Sequence, residues 1–119
     1  MIEEIVPYEE ALALKELGFD KPCFGYYTGD KMHLVIRPLM LRTNELESYV
    51  VTAITFSQAF RWFREKYQID SWIYPNLNGL YSISIVRRGV GLGKVSEYQT
   101  YEEAELECLK KLIEIVKNK

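Results

Sequence analysis

Apolar residues recur at helical spacing in three stretches of this chain, and between those stretches they alternate with polar ones in the manner of strands. The three helical stretches open alike, at Pro7-Tyr8-Glu9-Glu10-Ala11, Thr55-Phe56-Ser57-Gln58-Ala59 and Thr100-Tyr101-Glu102-Glu103-Ala104. An aromatic, two polar residues and an alanine suit a helix start, and Thr55 and Thr100 are placed to act as N-caps. The first helix is predicted from about Tyr8 to Leu17, with Tyr8, Ala11, Leu12, Leu14 and Leu17 toward the core and Gly18 as its C-terminal stop. The second runs from about Phe56 to Tyr67, with an apolar stripe of Phe56, Ala59, Phe60, Phe63 and Tyr67. The third runs from about Tyr101 to Lys117, buries Ala104, Cys108, Leu109, Leu112, Ile113 and Val116, and carries glutamates early and lysines late, as the helix dipole favours.

The strand-like segments form two hairpins. Gly29-Asp30 suits a two-residue turn, which would set Cys23 opposite Ile36, Gly25 opposite Leu34 and Tyr27 opposite Met32, with Pro38 ending the second strand. His33 would then share the outer side with Tyr26. Asn78-Gly79 is a stronger turn signal. Taken as a two-residue turn, it sets Trp72 opposite Ile85 and Tyr74 opposite Ile83 on a core-facing side, and Asp70 opposite Arg87 as a cross-strand ion pair. Leu39 to Glu47 shows no clean period and reads as a long connection, while Ser48 to Thr52 is a candidate fifth strand. From Arg88 to Thr100 the chain reads as a loop, with Gly89, Gly91 and Gly93 at every second position. The expected architecture is α+β: an antiparallel sheet of four or five strands and three helices in the order α-ββ-α-ββ-α, with the helices mainly on one face.

Composition adds boundaries to this picture. At 119 residues, 1–119 is expected to be a single domain. Such a chain removes roughly two-thirds of its unfolded surface from water without a disulfide or metal staple. Nine Tyr, five Phe and two Trp make an aromatic-rich chain, suited to sheet faces and contact surfaces. A net charge of −2 gives no long-range field toward nucleic acid or an anionic membrane, so any such contact must come from a local patch. Cys23 and Cys108 read as small buried hydrophobes. The acidic Met1-Ile2-Glu3-Glu4 start lacks the positive charge of a signal peptide, and no apolar run approaches a membrane span, so a cytoplasmic setting is expected, where a disulfide is disfavoured.

The candidate chemistry is sparse. Arg87-Arg88-Gly89-Val90-Gly91-Leu92-Gly93-Lys94 has the flavour of a phosphate cradle, but a Walker loop needs a glycine where Arg88 stands and a Ser or Thr where Val95 stands. It reads as a flexible connection, or as a local anion or nucleic-acid contact through Arg87, Arg88 and Lys94. Cys23 and His33 would form a thiol–imidazole pair only if they shared a face, and the expected register places them on opposite faces. The chain has one His, which leaves no multi-His metal site, and the glutamates at the start of the third helix are explained by dipole and solvation. No catalytic residue, cofactor or metal is expected. Trp62 lies beside the apolar stripe of the second helix between Arg61 and Arg64; it reads as a core residue or, if exposed, as a contact residue of hot-spot composition.

The stretch from Thr52 to Tyr67, with Gln58-Ala59 and then Trp62-Phe63-Arg64-Glu65-Lys66, resembles small uncharacterised proteins of phages and mobile elements of gut Bacteroidetes, in which a hairpin and a terminal Tyr-Glu-Glu-Ala helix follow, here Tyr101 to Ala104. This chain differs at Ile54, where a proline is common in that group, and in its long connection from Leu39 to Val51. The resemblance implies a phage-related or mobile-element origin and an intracellular setting, and no activity. The function expected is that of a non-enzymatic binding or accessory protein acting on a protein partner or on a second copy of itself. The alternative is a nucleic-acid-binding accessory protein using Arg61, Arg64, Arg87, Arg88 and Lys94 with stacking aromatics, and no membrane role is expected.

Overall fold

A computed structural model describes residues 4–21, 23–27, 34–41, 51–92 and 96–118. The chain is α+β, with elements in the order α1 (Tyr8–Glu16), β1 (Cys23–Tyr27), β2 (Leu34–Leu41), β3 (Val51–Thr52), α2 (Phe56–Tyr67), β4 (Ile69–Pro75), β5 (Tyr81–Arg87), β6 (Val90–Gly91), β7 (Glu97–Tyr98) and α3 (Tyr101–Lys117). It divides into two compact units, Met1–Phe56 and Ser57–Lys119. The strands form two antiparallel sheets, one of three strands and one of four, where the sequence suggests a single sheet.

In the first unit α1 ends as its glycine requires. Gly18 takes φ of +102°, its N–H bonds the Lys15 carbonyl at 3.0 Å, and the Phe19 N–H bonds the Leu14 carbonyl at 3.0 Å. This is a Schellman ending, which satisfies carbonyls the helix leaves open and turns the buried Phe19 inward. The sheet has the order β2-β1-β3, so β1 is paired on both sides. Gly25 lies opposite Ile36, Tyr26 opposite Val35 and Tyr27 opposite Leu34, an offset of two residues from the expected register; an even offset leaves Tyr26 and Tyr27 on their expected faces. Pro38 does not end β2. Cys23 pairs with Leu41, so β2 places residues 37–40 against residue 24, and this irregularity on an edge strand accommodates a residue with no amide to donate. Of the candidate fifth strand, Val51–Thr52 forms and pairs with Tyr27 and Tyr26. The Tyr27 hydroxyl donates to the Val6 carbonyl at 2.6 Å, and its ring meets Tyr8 edge to face at 5.6 Å. Gly29-Asp30, His33 and the rest of the long connection beyond Leu41 and before Val51 lie outside the described residues.

In the second unit the β4–β5 hairpin departs from the expected register by one residue, which moves every β4 side chain to the opposite face while Ile83 and Ile85 of β5 keep the core face. Asn76 is the cause. Its side-chain oxygen accepts from the N–H of Asn78 at 2.9 Å and of Leu80 at 3.1 Å, while its backbone N–H donates to the Leu80 carbonyl at 2.8 Å. The loop is therefore the three residues Leu77, Asn78 and Gly79, with Gly79 at φ of +75°, and not a two-residue Asn-Gly turn. Trp72 consequently lies opposite Ser84 and Tyr74 opposite Ser82, while Ile73 faces Ile83 and Ser71 faces Ile85. The expected Asp70–Arg87 pair does not form, since Asp70 lies opposite Val86 and Arg87 opposite Ile69.

The stretch expected as a glycine loop begins with a second hairpin. Arg88 and Gly89, with φ of +51° and +82°, are the two residues of a tight turn that sets Arg87 opposite Val90 and Val86 opposite Gly91. After it, β7 pairs with the start of β5. Helix α3 packs on β4, β5 and β7. It opens as the sequence indicates: the Thr100 hydroxyl accepts from the Glu103 N–H at 3.1 Å. Ser71 hydrogen-bonds Cys108 and Tyr81 meets Tyr101 ring to ring, so α3 covers the face of Ile69, Ser71, Ile73, Ile83 and Ile85.

Candidate functional site

With α3 on that face, the opposite face of β4 presents Trp72 and Tyr74, which are 50% and 36% exposed. Both were expected to face the core. Half-exposed tryptophan is unusual enough to mark a surface for attention, because the indole body gains roughly 1.5–3 kcal/mol or more from burial. Beside Trp72 an open cleft of about 280 Å³ is walled by Ser57, Phe60 and Arg64 of α2, by Ser71, Trp72 and Ile73 of β4, and by Tyr101 at the start of α3. Helical spacing explains the α2 wall: positions three and four apart share a face, so Ser57, Phe60 and Arg64 line up along the helix. A strand wall made of three consecutive residues means that the cleft runs against the backbone edge of β4 as well as its side chains.

That edge is open. In the sheet order β4-β5-β6, β4 has a partner on one side. The bond from the Asn76 N–H to the Leu80 carbonyl marks this pair as a hydrogen-bonded one, and alternation along an antiparallel ladder then makes Tyr74–Ser82 and Trp72–Ser84 the hydrogen-bonded pairs. The N–H and C=O of Ser71 and Ile73 therefore point away from β5. The opposite half of the alternation is visible on β5, where the Ile85 carbonyl accepts from the Leu92 N–H at 2.8 Å on the β6 side. Pro75 closes the edge at one end, having no N–H, and the fully buried Ile69 closes it at the other.

The six residues singled out from the sequence scatter. Arg64 lines the cleft, is exposed, and among the described residues has no carboxylate within ion-pair distance. Arg61 is exposed and spans one helical turn to Glu65 at 3.4 Å. Trp62 is 3% exposed, so the core reading holds for it: it meets Phe63 and Tyr67 edge to face, at 5.2 and 5.4 Å, and the Lys66 ammonium sits 5.0 Å from its ring centre. Residues two apart project from opposite sides of a helix, so Trp62 and Arg64 do not act on one surface. Arg87 and Arg88 lie at the tip of the β5–β6 hairpin, and Lys94 lies outside the described residues. Trp72, Phe60 and Tyr101 were not singled out; the signal for Trp72 was Asn76, whose side chain selects the longer turn.

The two thiols are not reactive groups. Burial pushes Cys23 up to about 11, with a hydrogen bond to Thr52 acting against it, and pushes Cys108 up to about 11, with Ser71 and Lys111 acting against it. At neutral pH both are neutral, and the thiolate is the nucleophilic form. Burial also raises Tyr101, which lines the cleft, with Glu105 contributing, so its hydroxyl is neutral. Among the described residues no three His, Cys, Asp or Glu side chains come together to hold a metal ion, and no helix is long and apolar enough to cross a membrane. No family model, no characterised protein and no solved structure matches the chain.

Proposed function

We propose that this chain is a non-enzymatic binding protein that recognises another polypeptide through the cleft between α2 and β4, an accessory protein of the phage or mobile-element kind that its second helix resembles. The observation that carries this reading is the composition of the cleft: an exposed tryptophan, a second aromatic from each flanking helix, and an arginine. Tryptophan, tyrosine and arginine dominate the energetics of protein contacts because they bring large area at little conformational cost. A volume of about 280 Å³ falls just below the about 300–1,000 Å³ of small-molecule sites and suits a few residues of polypeptide more than a cofactor.

Selection of a displayed random dodecapeptide library against the full chain tests this. The expected result is a set of enriched peptides that bind with micromolar affinity and lose at least about tenfold on Trp72→Ala, a change worth about 1.4 kcal/mol. Failure to enrich peptides, or enrichment indifferent to Trp72, contradicts it. A parallel titration with single- and double-stranded DNA and RNA across a salt series separates the nucleic-acid alternative, for which binding must strengthen as salt falls and must depend on Arg87 and Arg88.

A further inference from the structure

The open edge of β4 and the cation beside it define the form of the ligand more narrowly than the cleft alone. Resting on the reading of this cleft as a protein-contact site, we propose that it takes an extended segment of another protein as an added strand on the outer edge of β4, with a carboxylate of that segment against Arg64.

Three features meet at one place. Ser71 and Ile73 each direct an N–H and a C=O away from β5, and no backbone group among the described residues bonds them. An incoming strand supplies a donor and an acceptor at the matching spacing. The cleft opens directly onto these groups, with α2 forming its far wall at Ser57, Phe60 and Arg64. An extended segment alternates its side chains, so one set meets Trp72 while the other meets the α2 wall and Tyr101. The charge on that wall is positive: Arg64 has no carboxylate within ion-pair distance among the described residues, in contrast to Arg61, which is spoken for by Glu65. A guanidinium binds a carboxylate in two parallel hydrogen bonds, which gives the segment a preferred register. Edge strands in general invite such pairing, and the protein confines it: Pro75 and the buried Ile69 limit the free edge to the few residues between them.

The test uses two pools of acetylated, amidated hexapeptides built from Val, Thr and Tyr, alike except that one carries a single Glu where the other carries Gln. Affinity is read by fluorescence polarisation and the mode of binding by amide hydrogen exchange of the full chain. The Glu pool is expected to bind at least tenfold more tightly than the Gln pool. Arg64→Gln should erase that preference, Arg61→Gln should keep it, and Trp72→Ala should weaken both pools. On binding, the Ser71 and Ile73 amides should gain protection, and N-methylation of alternate peptide nitrogens should abolish it. Binding that leaves the Ser71 and Ile73 amides unprotected overturns strand addition. Equal affinity for the two pools overturns the role of Arg64. If neither pool binds while library-selected peptides do, strand addition fails and the cleft remains a peptide site; if neither binds and no peptide is selected, both readings fail. Concentration-dependent protection of the same amides without any peptide would assign the edge to a second copy of the chain and overturn the proposal.

Discussion

Tyr27 sits on a strand with a neighbour on each side, whereas Trp72 sits on a strand with a neighbour on one. Both are aromatics on the first strand of an antiparallel hairpin. In the three-stranded sheet, β1 is central, and Tyr27 is tied inward by its hydroxyl bond to Val6 and its ring contact with Tyr8. In the four-stranded sheet, β4 is the edge, and Trp72 is half exposed beside an open cleft. The difference does not come from residue type, since either side chain can be packed or presented. It comes from which face of the strand is covered: α3 takes the face of Ile69, Ser71 and Ile73, and the register set at Asn76 leaves Trp72 on the other. An aromatic held by its hydroxyl and its ring serves the core, and an aromatic on an uncovered face beside an unpaired edge is available to something else.

The largest expected effect sharpens this contrast within the second unit. Phe63 is fully buried, so Phe63→Ala should cost about 3–5 kcal/mol in chemical denaturation, whereas Trp72→Ala should change stability by no more than about 0.5–1 kcal/mol. Equal costs would show that Trp72 is packed. Next is the response to alkali, which tests the sealing of both units through Cys23 and Cys108. Their folded values of about 11 lie above the ordinary 9.0, so the stability they contribute is whole below pH 9 and is lost as pH rises toward 11. The loss should reach about 2–3 kcal/mol for each thiol, at about 1.36 kcal/mol per unit of difference, and denaturation midpoints at about pH 8 and pH 10.5 should lie closer together in a variant with both replaced by Ala, the raised Tyr27 and Tyr101 keeping part of the gap. Smaller again is Tyr27→Phe, which removes the hydroxyl and leaves the Val6 carbonyl without that donor; a loss of about 1–2 kcal/mol is expected, against none for Tyr74→Phe on the open face. Last, Arg88→Asn should stabilise the chain by about 0.5–1 kcal/mol, because Arg88 holds φ of +51° in a turn that favours Asn-Gly.

Two helices were legible in detail, α2 from its periodicity and α3 from periodicity, cap and charge order together, and their limits Phe56–Tyr67 and Tyr101–Lys117 match those read from the chain. Gly18 marked the end of α1 for a reason that depends on one residue alone, its positive φ. Pairing registers were less legible, because they depend on competition between turns that differ by one residue. At Asn78-Gly79 the dipeptide signal was strong, yet the outcome was decided by Asn76, two residues earlier, whose side chain closes an Asx turn. A one-residue error there turned Trp72 and Tyr74 from the exposed face to the covered one, and with them went the cleft. Arg64 was singled out for its charge, but its neighbours Trp72 and Tyr101 are distant in sequence and only the fold brings them together. The second sheet was hidden for a similar reason: Val90–Gly91 and Glu97–Tyr98 are two-residue strands, too short for alternation to register.

Whether the outer edge of β4 is free to accept a strand can be read from amide hydrogen exchange of the unliganded chain. Along Ser71, Trp72, Ile73 and Tyr74 a free edge gives an alternation: Trp72 and Tyr74 protected by their bonds to β5, Ser71 and Ile73 exchanging quickly. Uniform protection across all four residues would contradict it, because it would mean that the edge is already paired.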